Sequence, residues 1–200
     1  MRALLFSGGL DSSALAWWLR PELCVTINYG QRAANGEIAA SAALCSRIGL
    51  EHRTIHADLT SLGTGTMAGK DEAPGASAAE FWPYRNQMLV TLAAMKFMPD
   101  GLTEIILGSV STDHHADGKA PFLKALDRTL ALQEGNVHVS APARRMSTKT
   151  LLRNSGFPYE LIGLTFSCHV HEYACGQCNG CLKHRECVET TYPRSKRGAS

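Results

Sequence analysis

From Ala3 to His56 the chain alternates short β-rich runs with helical patterns, and that alternation is the signature of βαβ units wound around a parallel sheet. Ala3 to Phe6 reads as a buried strand, Asp11 to Arg20 as a helix with apolar Leu15, Trp18 and Leu19 at helical spacing, and Leu23 to Asn28 as the next strand. An Ala-rich helix from Glu37 to Ile48 stops at Gly49, and His52 to His56 completes a third strand. Further helices are expected over Gln87 to Met98, Pro121 to Gln133 and Thr148 to Asn154, with strands over Glu104 to Leu107 and, more weakly, Asn136 to Val139. The expectation is an α/β fold with a doubly wound parallel sheet in one domain, since 200 residues with 44% apolar and 19% charged side chains can bury one full core.

Two segments break the pattern. Leu59 to Glu80 is rich in Gly, Thr, Ala, Ser and Pro and is too long for an ordinary connection, so it reads as a lid or a disordered insert. After Gly163 the periodicity fades and cysteines crowd together. We therefore expect an α/β core over residues 1–163 and a four-cysteine subregion over 164–190, with a short basic tail, Arg194 to Arg197, read as a frayed end.

Twenty Lys and Arg against eighteen Asp and Glu leave +2, which excludes a strongly basic nucleic-acid coat and an acidic solubilising tail. No run approaches the ~20 apolar residues of a membrane span, and Arg2 leads straight into a strand, so a cytosolic location is expected. Seven cysteines are an odd count for a disulfide framework and point to metal binding or reduced core thiols.

Ser7-Gly8-Gly9-Leu10-Asp11-Ser12-Ser13 falls where the first strand turns into the first helix, where backbone N–H groups and the helix dipole favour an anion. The glycines let the chain approach a phosphate and the serines donate without bulk, while the lysine of a Walker loop is missing. Cys168, Cys175, Cys178 and Cys181 give C-x6-C-x2-C-x2-C with Gly176 and Gly180 between ligands, a spacing that closes tetrahedrally on zinc. Four protein ligands leave no place for water, so such a metal is structural. An iron-sulfur cluster, or His169 or His171 in place of one thiolate, stays open as an alternative. Cys24 and Cys45 read as core and Cys187 as a spare thiol.

The first motif resembles the S-G-G-x-D-S pyrophosphate loop of ATP pyrophosphatases. The whole pattern, with Tyr29-Gly30-Gln31-Arg32 after the second strand, Glu37, Pro83-Tyr84-Arg85-Asn86 before a helix and the terminal cysteines, resembles the 7-cyano-7-deazaguanine synthase (QueC) family over residues 3–186. That resemblance implies a C–N bond-forming, ATP-dependent ligase that adenylates a 7-deazaguanine carboxylate and then forms the amide or nitrile. It also implies structural zinc, ATP with Mg2+, and 7-carboxy-7-deazaguanine or a related molecule with ammonia or another amine; a homodimer is the expected assembly.

Under this resemblance Ser7 to Ser13 hold ATP, Asp11 and Lys149 are catalytic, and Tyr29, Gly30, Gln31, Arg85, Asn86, Asp113, Asp117 and Phe122 hold the substrate. Tyr29 reads equally as a purine-stacking ring or a packed rim residue, and Asn86 as a helix cap. Asp113 and Asp117 could accept from the donor edge of a guanine-like ring, or be ordinary loop aspartates. The chain departs from the family's D-Y-S-G-Y-P-D-C-R-x-E-F at Asp113-His114-His115-Ala116-Asp117-Gly118-Lys119-Ala120-Pro121-Phe122, where the tyrosines, the Cys-Arg pair and the Glu are lost. This departure suggests an acyl acceptor other than ammonia, such as a protein terminus, as in relatives from anti-phage gene clusters. A tRNA-modifying pyrophosphatase is the competing reading, and no basic face supports it.

Overall fold

A computed structural model describes residues 1–76, 78–113 and 115–193. His114, in the stretch that departs from the family pattern, and the basic run Arg194 to Arg197 lie outside the described residues.

Among the described residues five parallel strands form one sheet, β1 (Arg2–Leu5), β2 (Leu23–Asn28), β3 (His52–His56), β4 (Glu104–Ile106) and β5 (His138–Ser140), in the order β3-β2-β1-β4-β5. Side chains alternate across it. Ala3, Val25, Ile27 and Ile105 enter one apolar cluster, while Leu4, Cys24 and Ile106 enter the other. Because both faces are buried, the strands read as continuous apolar runs in the sequence.

The first cluster takes in α4 (Arg85–Phe97) through Val90, Ala93 and Phe97, and α5 (Ala120–Ala131) through Leu123, Leu126 and Leu130. The second takes in α1 (Leu10–Leu19), α2 (Ala34–Ile48) and α6 (Thr148–Ser155). The sheet is therefore doubly wound, as the alternation of elements predicts. Strand order reverses between β1 and β4, and the crevice outside the carboxyl ends of the strands at such a switch point is where open α/β sheets bind ligands.

Three details differ from the sequence expectation. Trp18, grouped with Leu15 and Leu19 at helical spacing in the first helix, is 41% exposed, while Leu10, Ala14, Leu15 and Ala16 make the packed surface. The 59–80 segment is folded onto the sheet: it forms a 3-10 turn at Thr60–Leu62 and the single turn α3 (Gly65–Ala68), and Met67 and nearby Trp82 join the core. Residues beyond 163 hold a 13-residue helix, α7 (Asn179–Thr191), that starts inside the cysteine cluster. The cysteines and polar residues of its first turns hide the apolar periodicity that would announce it.

No helix among the described residues is long and apolar enough to cross a membrane.

Candidate active site

A cavity with a volume of about 1000 Å3 opens at the carboxyl ends of β1, β2 and β4. Its floor is the turn from β1 into α1, where Ser7, Gly9, Leu10, Asp11 and Ser12 line the space. Gly9 caps α1 without any side-chain hydrogen bond to the helix, so the first-turn amides are left for an anion. Gly8 and Ser13 belong to the same turn but face away; Gly8 packs against α2, and a Cβ there would lie 2.9 Å from the Ala40 Cβ.

Tyr29, Glu37, Arg85 and Asn86 line the cavity beyond β2. Tyr29 is buried and meets Trp82 edge-on at 4.9 Å. Gln31 shapes this end from behind: it accepts from the Tyr29 N–H at 2.9 Å and donates to the Ile27 carbonyl at 3.0 Å and to Glu37 Oε2 at 2.8 Å. Gly30 and Gln31 therefore form the turn and do not line the cavity. Burial pushes the Glu37 carboxyl up to about 7, against the pull of Gln31 and Arg85. Burial alone would lower the Arg85 guanidinium, but Tyr29, Asp117 and Glu37 around it hold it above its ordinary value. Arg85 also donates to Met67 Sδ at 3.0 Å, which ties the roof segment to this end. Asn86 lies in the first turn of α4 and does not cap it; the capping position belongs to Tyr84, in a left-handed conformation (φ 57°).

Asp113 and His115 reach the cavity from the loop after β4, while Asp117 and Phe122 do not. Asp113 Oδ2 accepts from the Val110 N–H at 2.9 Å, and its carbonyl accepts from Lys119. Asp117 stands behind Arg85 as one of its countercharges, and Phe122 packs on the core cluster. Ser147, Thr148 and Lys149 line the cavity at the start of α6, where Ser147 caps the helix by accepting from the Thr150 N–H. Burial pushes the Asp11 carboxyl up, opposed by Lys183 and Thr148 beside it.

The C-terminal segment closes the remaining side. Phe166 donates its N–H to the Gly8 carbonyl at 2.8 Å, and Phe166 to His169, Gly180 and Lys183 line the cavity. Gly36 lets this segment lie on α2, because a Cβ there would sit 2.5 Å from the Glu172 carbonyl oxygen. The sulfur atoms of Cys168, Cys175, Cys178 and Cys181 lie within 4.8 Å of one another. A zinc ion at ~2.3 Å from four thiolates spaces them by roughly 3.8 Å, and the Cys175–Cys181 and Cys168–Cys178 pairs stand at 3.9 Å. The donor set fits a single tetrahedral ion, whereas a multi-iron cluster must spread its thiolates further. The N–H groups of Gln177 and Cys178 point at Cys175 Sγ and push that thiol down to about 6. Cys24 and Cys45 are buried core thiols, and Cys187 lines the cavity outside the four-sulfur group.

Sequence reasoning names Glu37 only as part of the family pattern, with no place in the site, and misses Lys183 altogether. The spacing Gln31 to Glu37 across a tight turn could have signalled the first, and a helix begun at Cys178 would have signalled the second.

Comparison with known proteins decides the family. The family described as "Queuosine biosynthesis protein QueC" matches residues 2–191. The chain belongs to the QueC family. It is 31% identical over 94% of its length to a 7-cyano-7-deazaguanine synthase 1 of Sulfurisphaera tokodaii, covering 92% of that protein. It is 29% identical over 90% of its length to a 7-cyano-7-deazaguanine synthase of Thermoplasma acidophilum, covering 83% of that one. Among solved structures, a predicted subunit of tRNA methyltransferase from Methanocaldococcus jannaschii is similar over 78% of this chain and 74% of that chain, with a TM-score of 0.46 and 16% identity.

Two expectations follow. Protein purified without chelator carries about one zinc per chain, and Cys178→Ser loses it together with cooperative unfolding, because binding energy at a structural site is folding energy; metal analysis and thermal unfolding check both. The second concerns Glu37, whose folded value lies above the ordinary 4.5, so the stability it supports is full below that value and is lost as pH rises through about 7. Between pH 5.5 and pH 8 the native protein should lose about 2 kcal/mol relative to Glu37→Gln in denaturant titrations. An unchanged difference between the two proteins would contradict the burial argument.

Proposed function

We propose that this QueC-family chain is an ATP-dependent synthase acting on a 7-deazaguanine carboxylate, with ATP cleaved to AMP and pyrophosphate. The observation that carries the reading is one cavity with two chemically distinct ends. At one end is an uncapped helix start with two serines, and at the other an aromatic ring, a buried carboxyl and a buried guanidinium. The family match over residues 2–191 and the names of the relatives supply the substrate class.

In this reading the triphosphate, arriving with Mg2+, lies along Ser7, Gly9, Leu10, Asp11 and Ser12, with Gly8 and Ser13 shaping the turn from behind, and Asp11 faces it. The bicyclic ring lies between Tyr29 and Arg85, with Asn86, Asp113 and the Glu37 carboxyl to meet its polar edge. Gly30 and Gln31 set the shape of that end, Asp117 acts through Arg85, and Phe122 supports the wall from the core side. A carboxylate oxygen of the substrate attacks the α-phosphorus, the bond to the β-phosphate oxygen breaks, and pyrophosphate leaves. Lys149 at the start of α6 offsets charge developing on that leaving group. An amine then attacks the carbonyl carbon, loses a proton and expels AMP to give the amide. With ammonia, repeating the activation on the amide oxygen, which again expels pyrophosphate, and then losing AMP and both N–H protons of the amide gives the nitrile. The 59–80 segment, whose Met67, Ala78 and Glu80 roof the cavity, keeps water from the adenylate. The four-cysteine group holds zinc as a structural ion, and residues 1–163 act as the nucleotide-binding core.

A second reading concerns the acceptor. Asp117 and Phe122 stand outside the cavity lining, and the loss of the family's tyrosines, Cys-Arg pair and Glu between Asp113 and Phe122 favours an amine larger than ammonia.

With 7-carboxy-7-deazaguanine, ATP and ammonium, chromatography should show AMP and pyrophosphate as products. Asp11→Ala should lower turnover by at least about 100-fold while leaving the unfolding transition in place. ADP as the nucleotide product would overturn the reading, and efficient nitrile formation would overturn the larger acceptor.

A further inference from the structure

Lys183 sits where the cysteine group and the cavity meet. α7 begins at Asn179 with Cys178 as its cap and Cys181 in its first turn, so two of the four sulfur ligands fix the start of the helix. Gly180 seats that turn directly against the Ser167 carbonyl, where any Cβ would lie 1.9 Å from the oxygen. That close seat sets the face the helix turns to the cavity, where Gly180, Lys183, His184 and Cys187 recur at helical spacing with Asn179 and Glu186 beside them.

The Lys183 ammonium lies 3.8 Å from Asp11 Oδ2 and 3.9 Å from Asp113 Oδ1. The first carboxylate belongs to the turn that would take the triphosphate, and the second to the loop after β4. Asp113 keeps its other oxygen on the Val110 N–H, so its orientation is set from outside the pair. Asp11 Oδ1 is buried and makes no hydrogen bond among the described residues, which leaves the ammonium as the charge facing that carboxyl. Two carboxylates beside a site for a polyanion are a repulsive arrangement unless a cation stands between them.

We propose that Lys183 is a positioning residue that balances Asp11 against Asp113, so that the phosphate end of the cavity accepts a triphosphate. The inference rests on the nucleotide reading given above and adds to it a residue and a reason for the cysteine group to lie beside the site. The geometry assigns the four-sulfur group a second consequence beyond stability, since the same first turn of α7 that it fixes carries Lys183 into place.

The test is Mg-ATP affinity of the zinc-loaded protein by calorimetry, which needs no acyl substrate. Lys183→Met should weaken ATP by about tenfold or more, with zinc content and thermal midpoint unchanged, and Lys183→Arg should restore most of it. Asp113→Asn keeps the oxygen that accepts from Val110, so combining it with Lys183→Met should recover several-fold of the lost affinity by removing one uncompensated charge. A role confined to packing would not produce that recovery. Native affinity in Lys183→Met, or no recovery in the double variant, would overturn the proposal while leaving the nucleotide reading intact. If the native protein bound no ATP, both would fall; if it bound ATP but did not turn over the carboxylate, only the substrate assignment would fall.

Discussion

The cavity exists because the C-terminal segment is held across the carboxyl edge of the sheet. Without it, the turn from β1 into α1 would open onto solvent on that side. Its tethers include the Phe166 N–H on the Gly8 carbonyl, the Asn179 amide on Glu80, the Tyr192 hydroxyl on the Phe157 carbonyl, and the close seats of Glu172 on Gly36 and of Gly180 against Ser167. A single net backbone hydrogen bond contributes only about 1 kcal/mol, too little to hold a segment that has no strand in the sheet. Four sulfurs gathered within 4.8 Å can supply the remainder through a metal, because ligand thiolates that would repel one another become the strongest local constraint once an ion joins them.

Charge is arranged in the same economical way at both ends. Arg85 is a buried cation among Tyr29, Glu37 and Asp117, and Lys183 is a cation between Asp11 and Asp113. Each acidic group is costly alone in a closed space, and each cation is costly without its acids. Such paired arrangements let a site be dry and still take an anion at one end and a polar heterocycle at the other. Burial pushes the Glu37 carboxyl up to about 7, so it can present either a proton or a lone pair to a ligand near neutral pH.

Much of this was legible in the residues. The β-run and helix alternation between Ala3 and His56 fixes a parallel sheet, and the glycines and serines after Phe6 mark its functional edge. The cysteine spacing locates the four-sulfur group before any coordinates are known. What stayed hidden has a common cause: the signals are tertiary. Gln31 carries no pattern saying that its amide is spent on Tyr29 and Glu37, and α7 has cysteines, glycine and charges where an apolar stripe would normally reveal a helix. Trp18 was misplaced because spacing shows which residues share a face and not which neighbour covers it. Asp117 and Phe122 match the family's pattern in order yet stand outside the cavity lining, since order along the chain does not say which way a side chain points.

The central claim is that a carboxylate oxygen of the substrate displaces pyrophosphate from the α-phosphorus. It is tested most directly by isotope transfer. With the carboxyl group of 7-carboxy-7-deazaguanine labelled with oxygen-18, the account predicts that AMP released with the amide carries one label, read by mass spectrometry. Unlabelled AMP, or label in phosphate or pyrophosphate, would contradict it.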